Sequence, residues 1–400
     1  MALPPSSPPL TNPCLQWILD EPDPLEEMLQ HLESEDETGI QARTRGPAKD
    51  CQQLEGEKKL HADYFADNPV YSSEDFQHRF RITRTLFDRI LRDIVEHDRY
   101  FLQKKDCAGL LGLSPEQKIT SSLRLLVYGI AHDATDKYTC LAEKTSRKTL
   151  YRFVRATNQM YGSNYLRPPN EDELKRILLD NANCGFPGCI GSLDCTQWAW
   201  KNCPVSLAGM YKGKEKYPTI VMEAVATQNW RFWHAFFVTP GALNNLNVLD
   251  KSDLFERTLH KKAPQISFKI NRNHYNYSYY LVDGIYNNYA TMIKGKSASS
   301  DQASRTFTKA QEGARKDIKC AFGHLRGRFQ TIERPGRSWI TPANPNQQRL
   351  SQTEIQFWKM DMNSKLQHAY LTEDLIKLHW QHRASEQGNQ GDDEYDSDSN

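Results

Sequence analysis

The chain has 400 residues, of which 38% are apolar and 10% aromatic, so it is long enough for two domains with buried cores. It contains no run of 18 apolar residues and no basic segment followed by an apolar one, so we expect neither a membrane span nor a signal peptide. Its nine cysteines are scattered and form no Cys-x-x-Cys pair, which makes a secreted disulfide framework unexpected.

The formal net charge of +1 hides an uneven distribution of charge along the chain. Residues 1–60 carry 5 basic and 12 acidic side chains, and residues 386–400 carry 6 acidic and no basic ones, which leaves +14 on residues 61–385. A basic body between acidic ends predicts a polyanionic partner, although an ordinary solvated surface has the same composition. We expect disordered acidic tails at 1–60 and 385–400.

Residues 61–170 are predicted to be helical. Ser114-Pro115-Glu116-Gln117 combines an N-cap serine, a proline at the first helical position and a glutamine at the third, which together predict a capping box at the start of a helix. A short helix is expected over 136–143 and a third helix from Ser146 onward. This order is typical of a helix-turn-helix unit that binds DNA.

The third of these helices has an apolar arc and a basic arc on opposite sides. We expect the apolar arc to pack on the other helices and the basic arc to face outward. The basic arc is the candidate DNA contact and consists of Arg147, Lys148, Arg152 and Arg155. A helical bundle with an ordinary solvated basic face would show the same pattern, so both interpretations stay open.

Residues 184–345 have the composition of an α/β domain. Strands are expected at 190–195, 219–227, 232–238 and 279–282, followed by a long amphipathic helix at 308–329. Three antiparallel strands, a helix, a fourth strand and further helices predict a ribonuclease-H-like fold, with a mixed sheet and flanking helices. Residues 346–384 are predicted to be a C-terminal helical segment.

Two aspartates stand at the ends of the first and fourth predicted strands. Asp194 and Asp283 could bind Mg²⁺ or Mn²⁺, which prefer oxygen ligands and keep open positions for phosphate. A nuclease with two metal ions needs a third carboxylate. Thirty-five residues intervene between Asp283 and position 319, a spacing frequent in transposases and integrases, but the residue there is Lys319. Asp194 and Asp283 are therefore the candidate catalytic and metal-binding residues, and Lys319 occupies the third-acid position.

A series of ordered motifs runs through residues 61–340. It includes Asp63-Tyr64-Phe65, Leu113-Ser114-Pro115, Gly191-Ser192-Leu193-Asp194-Cys195, Trp198-Ala199-Trp200-Lys201-Asn202-Cys203-Pro204, Trp233-His234-Ala235-Phe236-Phe237, Leu281-Val282-Asp283-Gly284 and Gln311-Glu312-Gly313-Ala314-Arg315-Lys316-Asp317 with Ala321-Phe322-Gly323. The series resembles the plant-transposon-protein branch of the PIF/Harbinger transposases.

The resemblance implies a DDE-type transposase fold in which Asp194 and Asp283 are the first two metal-binding aspartates. The family's third acid, a glutamate, falls on Lys319, and Asn245 stands where family members usually have an aspartate. Asp317 is turned about 200° away along the helix, and Glu312 lies roughly 10 Å along the axis, so neither is expected to replace the missing acid.

The same resemblance implies a function and partners. We expect a nuclease homologue that acts on DNA by two-metal chemistry with impaired catalysis; the alternative is a non-catalytic DNA-binding or adaptor protein that keeps the fold. Divalent metal (Mg²⁺ or Mn²⁺), DNA, nuclear action and a separate Myb-like DNA-binding partner are implied as well. A homo-oligomer is left open.

Overall fold

The structure is a computed structural model that describes residues 52–105, 109–201, 203–249, 251–252, 254, 266–296, 301–333 and 365–392. The chain divides into two compact units. The first contains the described parts of 1–167, 200–202 and 325–341, and the second those of 168–199, 203–324 and 342–400. Within the described residues, no helix has the length and apolar content needed to cross a membrane.

The first unit is built of helices in its described part. They are α1 (Gln53–Leu60), α2 (Ser73–Phe80), α3 (Arg84–His97), α4 (Pro115–Tyr128), α5 (Asp136–Thr139) and α6 (Glu143–Tyr165), with shorter helical turns at His61–Phe65, His132–Thr135 and Gln330–Ile332. Their apolar faces meet in one core that is rich in aromatic rings. Its members include Leu60, Tyr64, Phe76, Phe80, Phe87, Ile94, Phe101, Ile119, Leu123 and Phe153.

Helix α4 begins as its sequence predicts. The Ser114 hydroxyl accepts a hydrogen bond from the backbone N–H of Gln117 at 3.2 Å, and the Gln117 side-chain oxygen accepts one from the backbone N–H of Ser114 at 3.0 Å. The helix ends at Tyr128 because Gly129 adopts a left-handed conformation with φ of 58°. The predicted capping box is therefore confirmed.

Three helix boundaries in this unit differ from the sequence-based expectation. The short helix expected over 136–143 is α5, which ends at Thr139. Residues 53–60, which we expected to belong to a disordered tail, form α1, because Gly56 and Leu60 are buried and Leu60 joins the aromatic core. Helix α6 begins at Glu143, before the expected start at Ser146, and Ser146 is buried near the start of the helix. Residues 1–51 lie outside the described residues.

The second unit is a mixed α/β unit with a five-stranded sheet and flanking helices. Its elements are α7 (Glu171–Asn183), β1 (Cys189–Ala199), α8 (Val205–Tyr211), β2 (Thr219–Ala226), β3 (Phe232–Pro240), α9 (Asn245–Leu249), β4 (Phe268–Ile270), β5 (Asn273–Tyr275), β6 (Tyr279–Leu281), β7 (Met292–Ile293), α10 (Gln302–Arg328) and α11 (Lys365–Asp392). The strand order is β3-β2-β1-β6-β7, and β4 pairs with β5 in a separate hairpin.

The sheet combines antiparallel and parallel pairs. Strands β1, β2 and β3 are antiparallel neighbours, whereas β6 is parallel to β1 and β7 is parallel to β6. Buried strand residues enter two core clusters. One contains Leu193, Val225 and Trp233 with Leu174 of α7, and the other contains Tyr279, Leu281 and Ile293 with Phe307 of α10 and Leu371 and Leu375 of α11. Helices therefore cover the sheet through both clusters, and α10 is brought against β6.

Three features of this unit were not predicted at the observed bounds. Helix α7 falls between the two predicted regions, yet it packs on β1, where the Asn181 amide donates to the Cys189 carbonyl at 2.9 Å. Helix α11 extends to Asp392, into the segment expected to be disordered, because propagating a helix from its buried residues adds one hydrogen bond per residue. The short strands β4, β5 and β7 carry too few residues for an alternating pattern. Residues 346–364 and 393–400 lie outside the described residues.

Two histidines of α11 are wholly or partly buried. The ring of His379 lies 4.7 Å from that of Phe186 and 5.8 Å from that of Phe307, between centroids. Burial lowers the pKa of His379, and the charge of His382 lowers it further. His368 is only 9% exposed, and burial together with the charge of Lys294 lowers its pKa as well. In the folded chain both side chains therefore favour their neutral forms.

We expect the stability of the second unit to fall in mild acid. A histidine whose pKa is lower in the folded than in the unfolded chain takes up its proton more readily when unfolded, so stability is lost as the pH falls through the ordinary value of about 6.5. The slope should approach at most about 1.4 kcal/mol per pH unit for each histidine. Urea denaturation between pH 8 and 5 measures it, comparing wild type with the His368→Gln/His379→Gln variant.

His274→Gln serves as the control, because His274 is an exposed residue of β5. The control should keep the wild-type pH dependence, and the double variant should lose most of it. An unchanged pH profile in the double variant would show that these histidines do not produce the effect.

Candidate active site

The two candidate aspartates lie side by side at one level of the sheet. Ser192 of β1 is paired with Leu281 of β6 in the parallel ladder, so Asp194 and Asp283 each stand two residues beyond a paired position. The Asp194 side chain is 12% exposed and that of Asp283 45%. The pairing of β1 with β6 therefore brings together two carboxylates that are 89 positions apart in sequence.

Arg315 of α10 lies between these two carboxylates. Its Nη1 donates to Oδ1 of Asp283 at 2.9 Å, and its Nη2 is 4.0 Å from Oδ2 of Asp194. The Arg315 side chain is only 8% exposed. One turn earlier, the Gln311 amide donates to the carbonyls of Val282 and Ile293, at 2.9 and 3.1 Å, which fixes the register of α10 against β6 and β7.

Lys319, at the predicted third-acid position, is four residues after Arg315 on α10 and lies on the same side of the helix. It is exposed. Its positive charge opposes the effect of burial, which raises the pKa of Asp194, and it contributes to the lowered pKa of Asp283. Asp317 accepts a hydrogen bond from the side chain of Trp230 in the turn between β2 and β3, and Glu312 is exposed. The helix thus presents two cations to the aspartates.

The two aspartates have opposite pKa shifts. Burial raises the pKa of Asp194, although the backbone N–H of Cys195 and the Arg315 guanidinium oppose the shift. For Asp283, burial alone would raise the pKa, but the backbone N–H of Gly284 and the Arg315 guanidinium together outweigh it, and the pKa is lowered. Arg315 therefore favours the ionised form of both carboxylates.

These residues do not fit a pair of divalent ions. Asp194 and Asp283 supply two negative charges, and the guanidinium and the ammonium beside them supply two positive ones. An arginine stays protonated in proteins, so its charge cannot be removed by titration. Within the described parts of the chain, no group of three His, Cys, Asp or Glu side chains could hold a metal ion.

Sequence reasoning identified the two aspartates and the lysine but gave no role to Arg315. A usable signal was present, because Arg315 precedes Lys319 by four residues and positions i and i+4 share a helix face. Asn245 is the first residue of α9 and is half-buried.

The four basic residues predicted to contact DNA lie on α6 and all have partners within the protein. Nη2 of Arg147 is 3.1 Å from Oε1 of Glu143. Nη1 of Arg152 is 3.2 Å from Oδ2 of Asp98, and its guanidinium lies over the ring of Tyr100. The other two, Lys148 and Arg155, are half-buried and also have interaction partners. DNA contact by this face stays a prediction, and a phosphate would compete with these ion pairs.

Comparison with protein families gives two matches. Residues 163–353 match the family described as plant transposon protein. The match supports a transposon-derived protein. It spans the sheet, both aspartates, Arg315 and Lys319, and it supports a transposase-related function.

A second match, to a domain of unknown function (DUF8418), covers residues 56–95. The basic residues of α6 lie outside both matched segments. No curated protein and no solved structure matches the chain.

Proposed function

We propose that the chain is a PIF/Harbinger-type DDE transposase homologue that acts on DNA in the nucleus and whose two-metal phosphodiester chemistry is impaired. The observation that carries the proposal is that Lys319, which stands where the family has its third acid, acts through its charge on both Asp194 and Asp283, which Arg315 already contacts. The match to plant transposon proteins supports the transposon origin of this part of the chain.

The ribonuclease-H-like fold is part of the same proposal. The sheet of order β3-β2-β1-β6-β7 contains three antiparallel strands that are consecutive in sequence, as the sequence predicts, and this supports the proposed fold. Such nucleases hold metal with acidic residues on the first strand and after the strand that lies beside it in the sheet. A long helix packs against these residues. In this chain α10 supplies cations at that place.

Charge is the physical reason for impairment. A divalent ion placed between the aspartates would have to displace the Arg315 guanidinium and would meet the ammonium of Lys319, and like charges at close range repel strongly where burial lowers the effective dielectric constant. The two cations already neutralise the carboxylates. We therefore expect weak binding of Mg²⁺ or Mn²⁺ and little or no cleavage of DNA.

The second candidate function is that of a non-catalytic DNA-binding or adaptor protein that keeps the fold. It is favoured by the burial of Arg315, because a side chain that is 8% exposed and paired with Asp283 is built into the fold rather than placed at its surface. Either function is compatible with a Myb-like partner that assists DNA binding. The two differ in whether restoring an acid at position 319 restores chemistry.

Metal titration by calorimetry tests the proposal. We expect the wild type to bind Mn²⁺ weakly and Lys319→Glu to bind it about tenfold more tightly or better, a change that requires only about 1.4 kcal/mol. Lys316→Glu is the matched control, because Lys316 is an exposed residue of the same helix and its charge is not among those that shift the aspartates. The control should bind as weakly as the wild type.

A nuclease assay on linear duplex DNA with Mg²⁺ or Mn²⁺ completes the test. Robust cleavage by the wild type would contradict impairment. Cleavage by Lys319→Glu alone would support an enzyme that has lost one ligand. If neither protein binds Mn²⁺ and neither cuts DNA, but both still bind DNA, the non-catalytic function is the correct one.

A further inference from the structure

The connection between β1 and β2 ends in a loop that carries three lysines. We call residues 212–218 the lysine loop. It is closed by an isolated antiparallel bridge between Lys212 and Pro218. The side chains of Lys212, Lys214 and Lys216 are all exposed, and Tyr217 is 50% exposed.

The path of the lysine loop is fixed by close backbone packing. A Cβ atom added at Gly213 would overlap the carbonyl of Gly241, and one added at Gly241 would overlap the Thr219 side chain. Gly241 also donates its backbone N–H to the carbonyl of Thr219 at 2.9 Å. Only glycine allows the two backbones to approach this closely, so the loop is held at a defined place beside β2.

The three lysines are available for an external partner. Among the described residues, none of them lies within salt-bridge distance of a carboxylate, in contrast to Arg147 and Arg152 of α6. Glu215 is the one acid in the loop against three basic residues. Unpaired ammonium groups on a fixed loop lose no internal ion pair when they bind phosphate.

The position of the lysine loop relative to the aspartates suits a nucleic-acid strand. Ala199, the last residue of β1, is paired with Thr219, which follows the loop directly. Asp194 lies five residues earlier on β1, which at about 3.3 Å per residue is about 17 Å. Successive phosphates of one strand are about 3.4 Å apart along a duplex, so this length spans about five of them.

We propose that the lysine loop binds the phosphate backbone of duplex DNA. The bound phosphates lie about five nucleotides along the strand from the phosphate that reaches Asp194 and Asp283. The inference rests on DNA as the polyanion of the proposed function and names residues of the second unit as its contact. Phosphate contacts by lysine are electrostatic and need no metal ion, so the loop acts whether or not the aspartates bind metal.

The test measures binding of the full chain to a fluorescently labelled 30-base-pair duplex by anisotropy, in EDTA, between 50 and 200 mM KCl. For the Lys212→Gln/Lys214→Gln/Lys216→Gln variant we expect the slope of log K against log salt to become shallower by about 2.7 and Kd at 0.1 M salt to rise by about two orders of magnitude. The matching Lys→Arg triple variant keeps the charge and should bind as the wild type does.

The control variant changes the same number of charges elsewhere in the second unit. Lys269→Gln/Lys309→Gln/Lys377→Gln removes three exposed lysines from β4, α10 and α11. An equal loss of DNA binding in this control would mean that net charge, not the lysine loop, determines affinity, and would overturn the proposal. Wild-type binding by the loop variant would overturn it as well.

Two further arms separate the partner and the mechanism. Phosphatidylserine vesicles replace the duplex in one arm; loss of vesicle binding with unchanged DNA binding would overturn the proposal in favour of a membrane surface. The nuclease assay with Mn²⁺ is run on the same variants. DNA binding is measured in EDTA and so does not depend on metal. If the wild type binds metal in other experiments, that result contradicts the proposed impairment but not the proposed DNA contact of the lysine loop.

Discussion

Replacing Arg315 by methionine is expected to destabilise the second unit by about 2 kcal/mol, less than the cost of removing one partner of a fully buried ion pair, because the Asp283 side chain is 45% exposed. The variant keeps the aliphatic part of the side chain but leaves the Asp194 carboxylate, 12% exposed, beside that of Asp283 without the guanidinium. Two carboxylates at short range repel, and burial has already raised the pKa of Asp194. The midpoint of urea denaturation at pH 7 measures the loss.

The pH dependence of this loss follows from its cause. Without Arg315 the pKa of Asp194 should rise further, so the carboxyl takes up a proton in mild acid and no longer needs a cation. The difference in unfolding free energy between wild type and variant should therefore shrink as the pH falls toward 4. A pH-independent difference would point to lost packing instead of lost charge.

Lys316→Met is the matched control, because it removes a cation from an exposed position of the same helix and should change stability by less than about 0.5 kcal/mol. Divalent ions give a second readout. Addition of Mn²⁺ should raise the urea midpoint of Arg315→Met, since a ligand that binds only the folded state stabilises it, and should leave the wild type nearly unchanged. Equal stabilisation of both proteins would mean that Arg315 does not occupy the cation site.

Replacing Asp374 by alanine is expected to cost about 3 kcal/mol, because the hydrogen bonds that a buried carboxylate accepts are lost together. Oδ2 of Asp374, on α11, accepts from the Tyr275 hydroxyl at 2.6 Å and from the Asn273 amide at 2.7 Å. The Asp374 residue is 5% exposed. The substitution leaves both donors of the β4–β5 hairpin without their acceptor and loosens the hairpin from the C-terminal helix.

Two comparisons make this expectation specific. Glu373→Ala changes the neighbouring exposed acid and should shift the unfolding midpoint little. Tyr275→Phe removes a single donor and should cost about 1.5 kcal/mol. In the double variant with Asp374→Ala, the two losses should be far from additive, because they remove the same hydrogen bond. Additive losses would show that the carboxylate and the hydroxyl act independently.

Local patterns predicted much of the fold. The capping box at Ser114, the strand that contains Asp194, the strand that precedes Asp283, and the long helix α10 were all expected from short stretches of sequence. These elements depend on backbone hydrogen bonding and on periodic apolar residues, which neighbouring residues already encode. Their ends were less predictable, because burial of Leu60 extends the ordered chain and short strands such as β7 carry no pattern.

The basic face of α6 shows the limit of such patterns. Periodicity placed Arg147, Lys148, Arg152 and Arg155 on one arc, but it could not show that Asp98, which directly follows α3, pairs with Arg152. A helical wheel describes one helix in isolation. Which charges remain available for a partner depends on the elements that pack beside it, and the lysine loop had no periodic pattern to mark it.

The candidate site also combines features that the sequence predicts with features that depend on tertiary structure. The sequence by itself predicted an aspartate at the end of each of two apolar strands and Lys319 at the position of a third acid; in the structure β1 continues past Asp194 to Ala199, and Asp283 follows β6. Only the tertiary structure decided that Arg315 lies between those aspartates, because the parallel pairing of β1 with β6 and the bonds of Gln311 to Val282 and Ile293 set the register of α10. The charge balance of a site is a property of groups that are distant in sequence and close in space, since Coulomb energy depends on separation through space alone.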